Sequence, residues 1–233
     1  MKLCLFGITD IAPGRHNLKD PRLDQIHELV DAQKKTHAQV DVVEEKELLT
    51  SDAILTTRPA LSDLLMKDLD FVETRMTRGA TDAEKAVLEK LAETLISEKP
   101  VSAAGLTADE LATVSAHNFY SSKPVVVAEE SDLGTPDTLL LRAYAESGFI
   151  SFLTVGGKEN RAWSIRAGAT AWEAAGSIHS DIQKGFIRAE VIGFADLVAT
   201  GGETQAKRAG KQRLELKTYV MQDYDVVNFR FNK

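Results

Sequence analysis

The hydrophobic period of this chain changes near Phe149, and that change constrains its architecture more than any other feature. Ahead of it, Leu61, Leu64, Leu65, Leu69, Val72 and Met76 recur at steps of three and four, the spacing of one helix face. Gly79 supplies a stop, Thr81 and Glu84 have capping-box spacing, and Val87, Leu88, Leu91 and Leu95 open a second stripe. Beyond Phe149 the apolar runs are short and broken at Gly156-Gly157, Gly168, Gly176, Gly185 and Gly201-Gly202. Near the end, Val227, Phe229 and Phe231 alternate with Asn228, Arg230 and Asn232, as a half-buried strand requires. The pattern predicts a front domain over 1–148 and a strand-rich back domain over 149–233.

The front carries three short apolar runs, near 2–6, 39–43 and 124–128, that read as strands of a small, mostly parallel sheet. The two helical stripes, joined at Gly79, form an arm over about 54–98. Thr9 to Asp20 reads as a loop. Pro21, followed by Leu23, Ile26, His27 and Val30 on one face, opens a short helix. The expected fold class is α/β followed by α+β.

Composition excludes several function classes. The net charge of −7 divides into −10 before residue 151 and +3 after it, which argues against sequence-blind DNA binding. A single cysteine, Cys4, makes no internal disulfide, and no run is long enough to span a bilayer, so a cytoplasmic protein without membrane contact is expected. The five histidines show no metal-ligand spacing, and no nucleophile motif occurs, so no metal, cofactor or catalytic residue is assigned. Cys4 reads as a core residue, and Glu44 to Glu47 as a solvated helix start.

The back domain then supplies a resemblance. Phe152-Leu-Thr-Val-Gly-Gly-Lys-Glu-Asn-Arg-Ala-Trp163, Gly168-Ala-Thr170, Ala174-Ala-Gly-Ser-Ile-His179, Lys184-Gly-Phe-Ile-Arg-Ala-Glu-Val191 and Met221 to Phe231 resemble the C-terminal module of the YchF/Obg-like ATPases. The resemblance implies a TGS-type β-grasp domain. Fainter likenesses run through the front, at Asp20-Pro-Arg-Leu-Asp24, Leu69 to Arg75, Ala86 to Leu91 and Lys123-Pro-Val-Val126.

The front also departs from that family. A phosphate-binding loop needs Gly-x-x-x-x-Gly-Lys-Ser/Thr after the first strand, so that amides and a lysine neutralise the phosphates. Here Gly7 follows the strand, but Gly14 comes two positions late and Arg15-His16 stands where Lys-Ser/Thr belongs. The base-reading Asn-x-x-Glu is reduced to Ala128-Glu129-Glu130. These departures lead to the expectation of a degenerate nucleotide-hydrolase scaffold: a non-catalytic accessory or regulatory module, not an enzyme, whose back domain contacts RNA, the ribosome or a protein. Its contact residues would be Lys158, Arg161, Trp163, Lys184, Arg188, Lys207, Arg208, Lys211 and Arg213. The alternative is residual ATP or GTP binding without efficient hydrolysis, in a groove beside Gly7, Gly14, Arg15 and Glu129.

Overall fold

The computed structural model describes residues 1–232. Its elements in chain order begin with β1 (Lys2–Phe6), β2 (Gly14–Asn17), α1 (Pro21–Leu29), β3 (Ala32–Thr36), β4 (Gln39–Val43) and β5 (Ala53–Thr57). The middle holds α2 (Arg58–Thr77), α3 (Asp82–Ile96), α4 (Ala108–Val114), β6 (Val125–Ala128), α5 (Glu130–Leu133) and α6 (Pro136–Glu146). The rest is β7 (Phe149–Thr154), β8 (Gly157–Arg166), α7 (Ala171–Ile178), α8 (Ser180–Lys184), β9 (Phe186–Ile192), α9 (Phe194–Thr200), α10 (Glu203–Arg208), β10 (Arg213–Glu215) and β11 (Val226–Phe231). Two compact units result, one of residues 1–16 with 41–139, the other of 17–40 with 140 onward. The sequence sets one boundary at 148/149, whereas the structure divides the chain discontinuously.

In the first unit the strand order is β2-β4-β1-β5-β6, and β4, β1, β5 and β6 run parallel. Cys4, Phe6, Ile54 and Leu64 form the core under α2. Burial pushes the Cys4 thiol up to about 11, so it stays protonated and inert. The helical arm forms as its stripes demand, but later than expected: residues 54–57 belong to strand β5. Thr57 caps α2 by accepting from the Ala60 amide, and Gly79, at φ +78°, makes the left-handed turn into α3. Leu61, Leu65 and Val72 pack against Val87, Leu88, Leu91 and Leu95. Each such fully buried side chain contributes roughly 1.5–3 kcal/mol.

Glu84 fastens this arm. It receives Arg75 in a two-pronged ion pair at 2.7 and 3.0 Å, and pairs with His117 Nε2 at 2.8 Å. The Arg75 hydrogen bonds, then the His117 contact, hold the Glu84 carboxyl down at about 2. A depressed carboxylate stabilises the fold above its ordinary value near 4.5, and that contribution is lost as pH falls toward 2. In thermal melts across this window, Glu84→Gln is therefore expected to show a shallower acid decline than the parent protein. Parallel curves would reject the assignment.

In the second unit the order is β10-β9-β11-β7-β8-β3. One face packs Phe152, Ile165, Val191, Val227 and Phe229 against α7. Segment 17–40 joins this unit because β3 pairs in parallel with β8 and because Asn160 ties α1 to β8. The fully buried Asn160 side chain donates to the Val30 carbonyl at 2.8 Å, lies 3.1 Å from His27 Nδ1, and accepts from the Gly156 amide. No helix among the described residues is long and apolar enough to cross a membrane.

Candidate functional site

In open parallel sheets, ligands seat beyond the carboxyl ends of strands where the connections switch direction. Here that point lies between β1 and β5, since β4 joins one side of β1 and β5, then β6, the other. Gly7 and Glu129 follow the ends of β1 and β6, and Thr57 is the last residue of β5. Gly7 has φ +68°, and its amide donates to Glu45 Oε1 at 3.3 Å. A Cβ added there would meet the Ala60 Cβ at 2.3 Å, so the first turn of α2 closes directly over this glycine. Glu129 caps α5 in a reciprocal capping box with Asp132, and its Oε1 lies 3.6 Å from Arg58 Nη2. Arg58 is mostly exposed, stands at the start of α2 and pairs with Glu129.

The structure does not bring Arg15 to this place. Gly14 and Arg15 lie on edge strand β2, where Arg15 Nε donates to Asp41 at 3.0 Å. Asp41 pairs with Lys2, at the opposite end of β1 from Gly7. About 16 Å of strand separates those two levels. Of the four groove residues, Gly7 and Glu129 share the carboxyl edge, Gly14 lies on edge strand β2, and Arg15 is turned to Asp41.

The nine proposed contact residues of the back domain also separate. Arg161 and Trp163 share the sheet face that packs on α7. The Trp163 Nε1 donates to Thr154, and the Arg161 guanidinium stacks 4.0 Å from the indole centroid. Trp163 is thus partly buried, packed against the core of that face under a cationic cover. Lys158, one residue out of phase, is exposed on the other face of β8. Arg188 faces away from α7 and lies directly opposite Arg230 in the β9–β11 register. Lys207 and Arg208 occupy the exposed last turn of α10, and Lys184 the end of α8. Lys211 pairs with Asp196 at 3.0 Å, and Arg213 donates to Glu215 and to the Tyr219 hydroxyl. Arg230 also pairs with Glu190. Burial works to raise that carboxyl, but hydrogen bonds from Asn228 and Arg230 outweigh it and hold it below the usual range.

A second constellation, missed in the sequence, lies wholly in the second unit. Arg22 donates through Nε and Nη2 to both oxygens of the buried Asp20, and through Nη1 to Asp223 at 2.7 Å. Its guanidinium carbon sits 3.7 Å from the Tyr224 ring centroid. Burial opposes the Arg22 charge, but the two aspartates outweigh it and hold the guanidinium well above its ordinary range. Tyr224 itself has φ +63°, a conformation costing a non-glycine residue about 1–2 kcal/mol. These groups form one wall of a cleft of about 350 Å³, whose other sides include Leu18, Pro21, Ala145 and Phe149.

Against this geometry stand the similarities to known proteins. Residues 149–232 match the family model YchF-GTPase_C, described as a protein of unknown function. The "Ribosome-binding ATPase YchF" of Bacillus subtilis is 31% identical over 235 residues, covering 73% of this chain and 64% of that protein. The protein of the same name from Haemophilus influenzae is 34% identical over 233 residues, with the same coverage.

The chain is a relative of the YchF family.

The solved Schizosaccharomyces pombe YchF GTPase superposes with a TM-score of 0.77 at 19% identity, covering 99% of this chain and 97% of that one. The mixed α/β fold with its two sheets is therefore the YchF fold. The chain spans 64% of the length of the two bacterial YchF proteins. These relatives overturn the expectation of a non-catalytic module that is not an enzyme, since proteins alike over 73% of the chain are ATPases by name. That expectation weighed the departures after β1 and at Ala128-Glu129-Glu130 as the loss of the whole site, although the likeness to proteins named as ATPases covers 73% of the chain. Among the described residues no group of three or more His, Cys, Asp or Glu side chains is arranged to hold a metal ion.

Proposed function

We propose that this chain binds a purine nucleoside triphosphate, turns it over slowly, and acts on the ribosome in the cytoplasm. The observation that carries the reading is the set of parallel strand ends at Gly7, Thr57 and Glu129, in a chain 31–34% identical to ribosome-binding ATPases. On this reading the base lies beside Glu129 and the phosphates reach Arg58. Slow turnover follows from the sequence after β1. Without the lysine of Gly-x-x-x-x-Gly-Lys, charge developing on the transferred phosphoryl group has fewer fixed donors, and such donors supply most of the catalysis in phosphoryl transfer. The back domain, TGS-like on this reading, supplies the ribosomal contact through exposed cations of β9, β11 and α10: Arg188, Arg230, Lys207 and Arg208.

Two measurements test this. Titration with a fluorescent ATP analogue and Mg²⁺ is expected to saturate, and Arg58→Ala to weaken binding about tenfold, or ~1.4 kcal/mol. Ribosomes are expected to carry the protein into the pellet at low salt and to release it as salt rises, as phosphate contacts require. Absence of nucleotide binding at millimolar analogue would end the nucleotide reading, and absence of pelleting at low salt the ribosomal one.

A further inference from the structure

We propose that the cleft of the second unit, walled by Arg22, Asp223 and Tyr224, is a binding site for an unpaired guanine base. The argument begins with hydrogen-bond capacity. A guanidinium has five N–H groups. Nε and one N–H of Nη2 go to Asp20, and one of Nη1 goes to Asp223. Among the described residues, the remaining two have no protein acceptor. Asp223 accepts from the Ser151 amide at 3.0 Å and from Arg22 at 2.7 Å, yet is 41% exposed and retains lone pairs on the cleft side. The wall thus presents a fixed donor beside a fixed acceptor.

Charge and shape narrow the occupant. One arginine and two aspartates leave the wall at −1, so an anionic group is disfavoured and a neutral group rich in donors is favoured. Leu18, Pro21, Ala145 and Phe149 line the same cleft and offer apolar surface to a flat ring, and about 350 Å³ is in the range of small-ligand pockets. All four bases have neighbouring donor and acceptor atoms. Guanine alone sets two donors, N1–H and the N2 amino group, beside one acceptor, O6. That edge gives two donors to the carboxylate and one acceptor to the guanidinium, matching a wall with excess acceptor capacity. The arrangement is pre-set: Asp20 clamps Arg22 from behind, and Arg22 lies on the ring of Tyr224, which is held at φ +63°. Strained residues of this kind concentrate at ligand sites. The base could arrive as free guanosine or as a guanine splayed from single-stranded RNA, where unstacked bases are read on this same edge.

The site shares no residue with the β1–β5–β6 strand ends, so its test separates from that of the nucleotide reading. The full chain is titrated with guanosine, inosine and adenosine by calorimetry. Guanosine is expected to bind, inosine at least tenfold more weakly because it lacks the N2 amino group, and adenosine more weakly still. Asp223→Asn is expected to cost guanosine at least tenfold. Ala145→Trp, at an exposed cleft position, is expected to abolish binding by filling the space without touching the polar wall. Both variants are checked for an unchanged melting point. A uridine hexamer with one central guanine, against the all-uridine hexamer, distinguishes an RNA source from the free nucleoside. No binding of guanosine or of the guanine-containing hexamer would overturn the proposal. So would equal affinity for adenosine, or guanosine binding untouched by both variants.

Discussion

Asp68→Ala is expected to destabilise the first unit by about 4 kcal/mol, among the largest single-residue losses in the protein. Asp68 is 2% exposed, on the buried stripe of α2. Its carboxylate accepts the amides of Tyr120 and Ser121 at 2.7 and 2.8 Å, and the Ser121 hydroxyl at 2.6 Å. Ser121 Oγ in turn accepts the Val101 amide at 2.9 Å. Truncation removes three charge-assisted hydrogen bonds and strands two backbone donors where water enters poorly. Hydrogen bonds to charged groups contribute about 1.5–3 kcal/mol each, and the losses overlap because the three donors share one acceptor. Asp68→Asn keeps the shape but replaces one acceptor oxygen with a donor, and should lose about half as much. Urea unfolding followed by far-UV circular dichroism decides it. A change below about 1 kcal/mol for the alanine variant would show that water replaces the carboxylate freely. The functional link is positional, because the turn that Asp68 anchors leads directly into β6, whose end carries Glu129.

Asp68 also shows what the sequence conceals. The stripe of α2 reads well as Leu61, Leu65 and Val72, but its buried member between Leu65 and Val72 is the aspartate, and the next residue, Leu69, is only partly buried. A carboxylate at a core position of a helical period is a readable signal, and it scans as solvent-facing only when polarity is taken to mean exposure. Strands β1, β4 and β6 were legible because each is an apolar run with a clear end, as buried parallel strands are. β5 was absorbed into the arm because Ala53 to Thr57 runs without a break into the helix. β3, Ala-Gln-Lys-Lys-Thr, has no apolar alternation at all. It is an edge strand paired, among the described residues, with β8 alone, with Lys34 bonded to Glu159 and Lys35 to Asp24. Charged edge strands of this kind block further pairing, so they lack the pattern by which strands are recognised. The candidate site was half legible. Gly7 and Glu129 follow strand ends and could be placed by topology, whereas Arg15 required knowing that it sits on an edge strand with its side chain on Asp41. The left-handed Tyr224 has no sequence mark, because only tertiary contacts hold a tyrosine there.

Arg22→Ala is expected to cost the second unit about 3 kcal/mol, and most of that cost is expected to vanish when Asp20 is also neutralised. The 4% exposed Asp20 carboxylate depends on Arg22, which reaches it through its backbone amide, Nε and Nη2. Removing one partner of a buried ion pair leaves an uncompensated charge, typically worth 3–5 kcal/mol; the lower end applies because Arg22 is itself 37% exposed. Removing both charges takes away the attraction and the desolvation penalty together. Asn is an equally good helix N-cap, so Asp20→Asn preserves the start of α1 while deleting the charge. The double variant should therefore recover to within about 1 kcal/mol of the parent. Arg22→Lys should fall between, since an ammonium cannot fork across two carboxylate oxygens and reach Asp223 as well. Urea midpoints at fixed slope give all four values. If the double variant is as unstable as the sum of the single changes, Arg22 acts by packing on Tyr224 and not by compensating Asp20. A wall held by packing alone could let its guanidinium swing, whereas one clamped by a buried carboxylate keeps its two open N–H groups aimed at a single place.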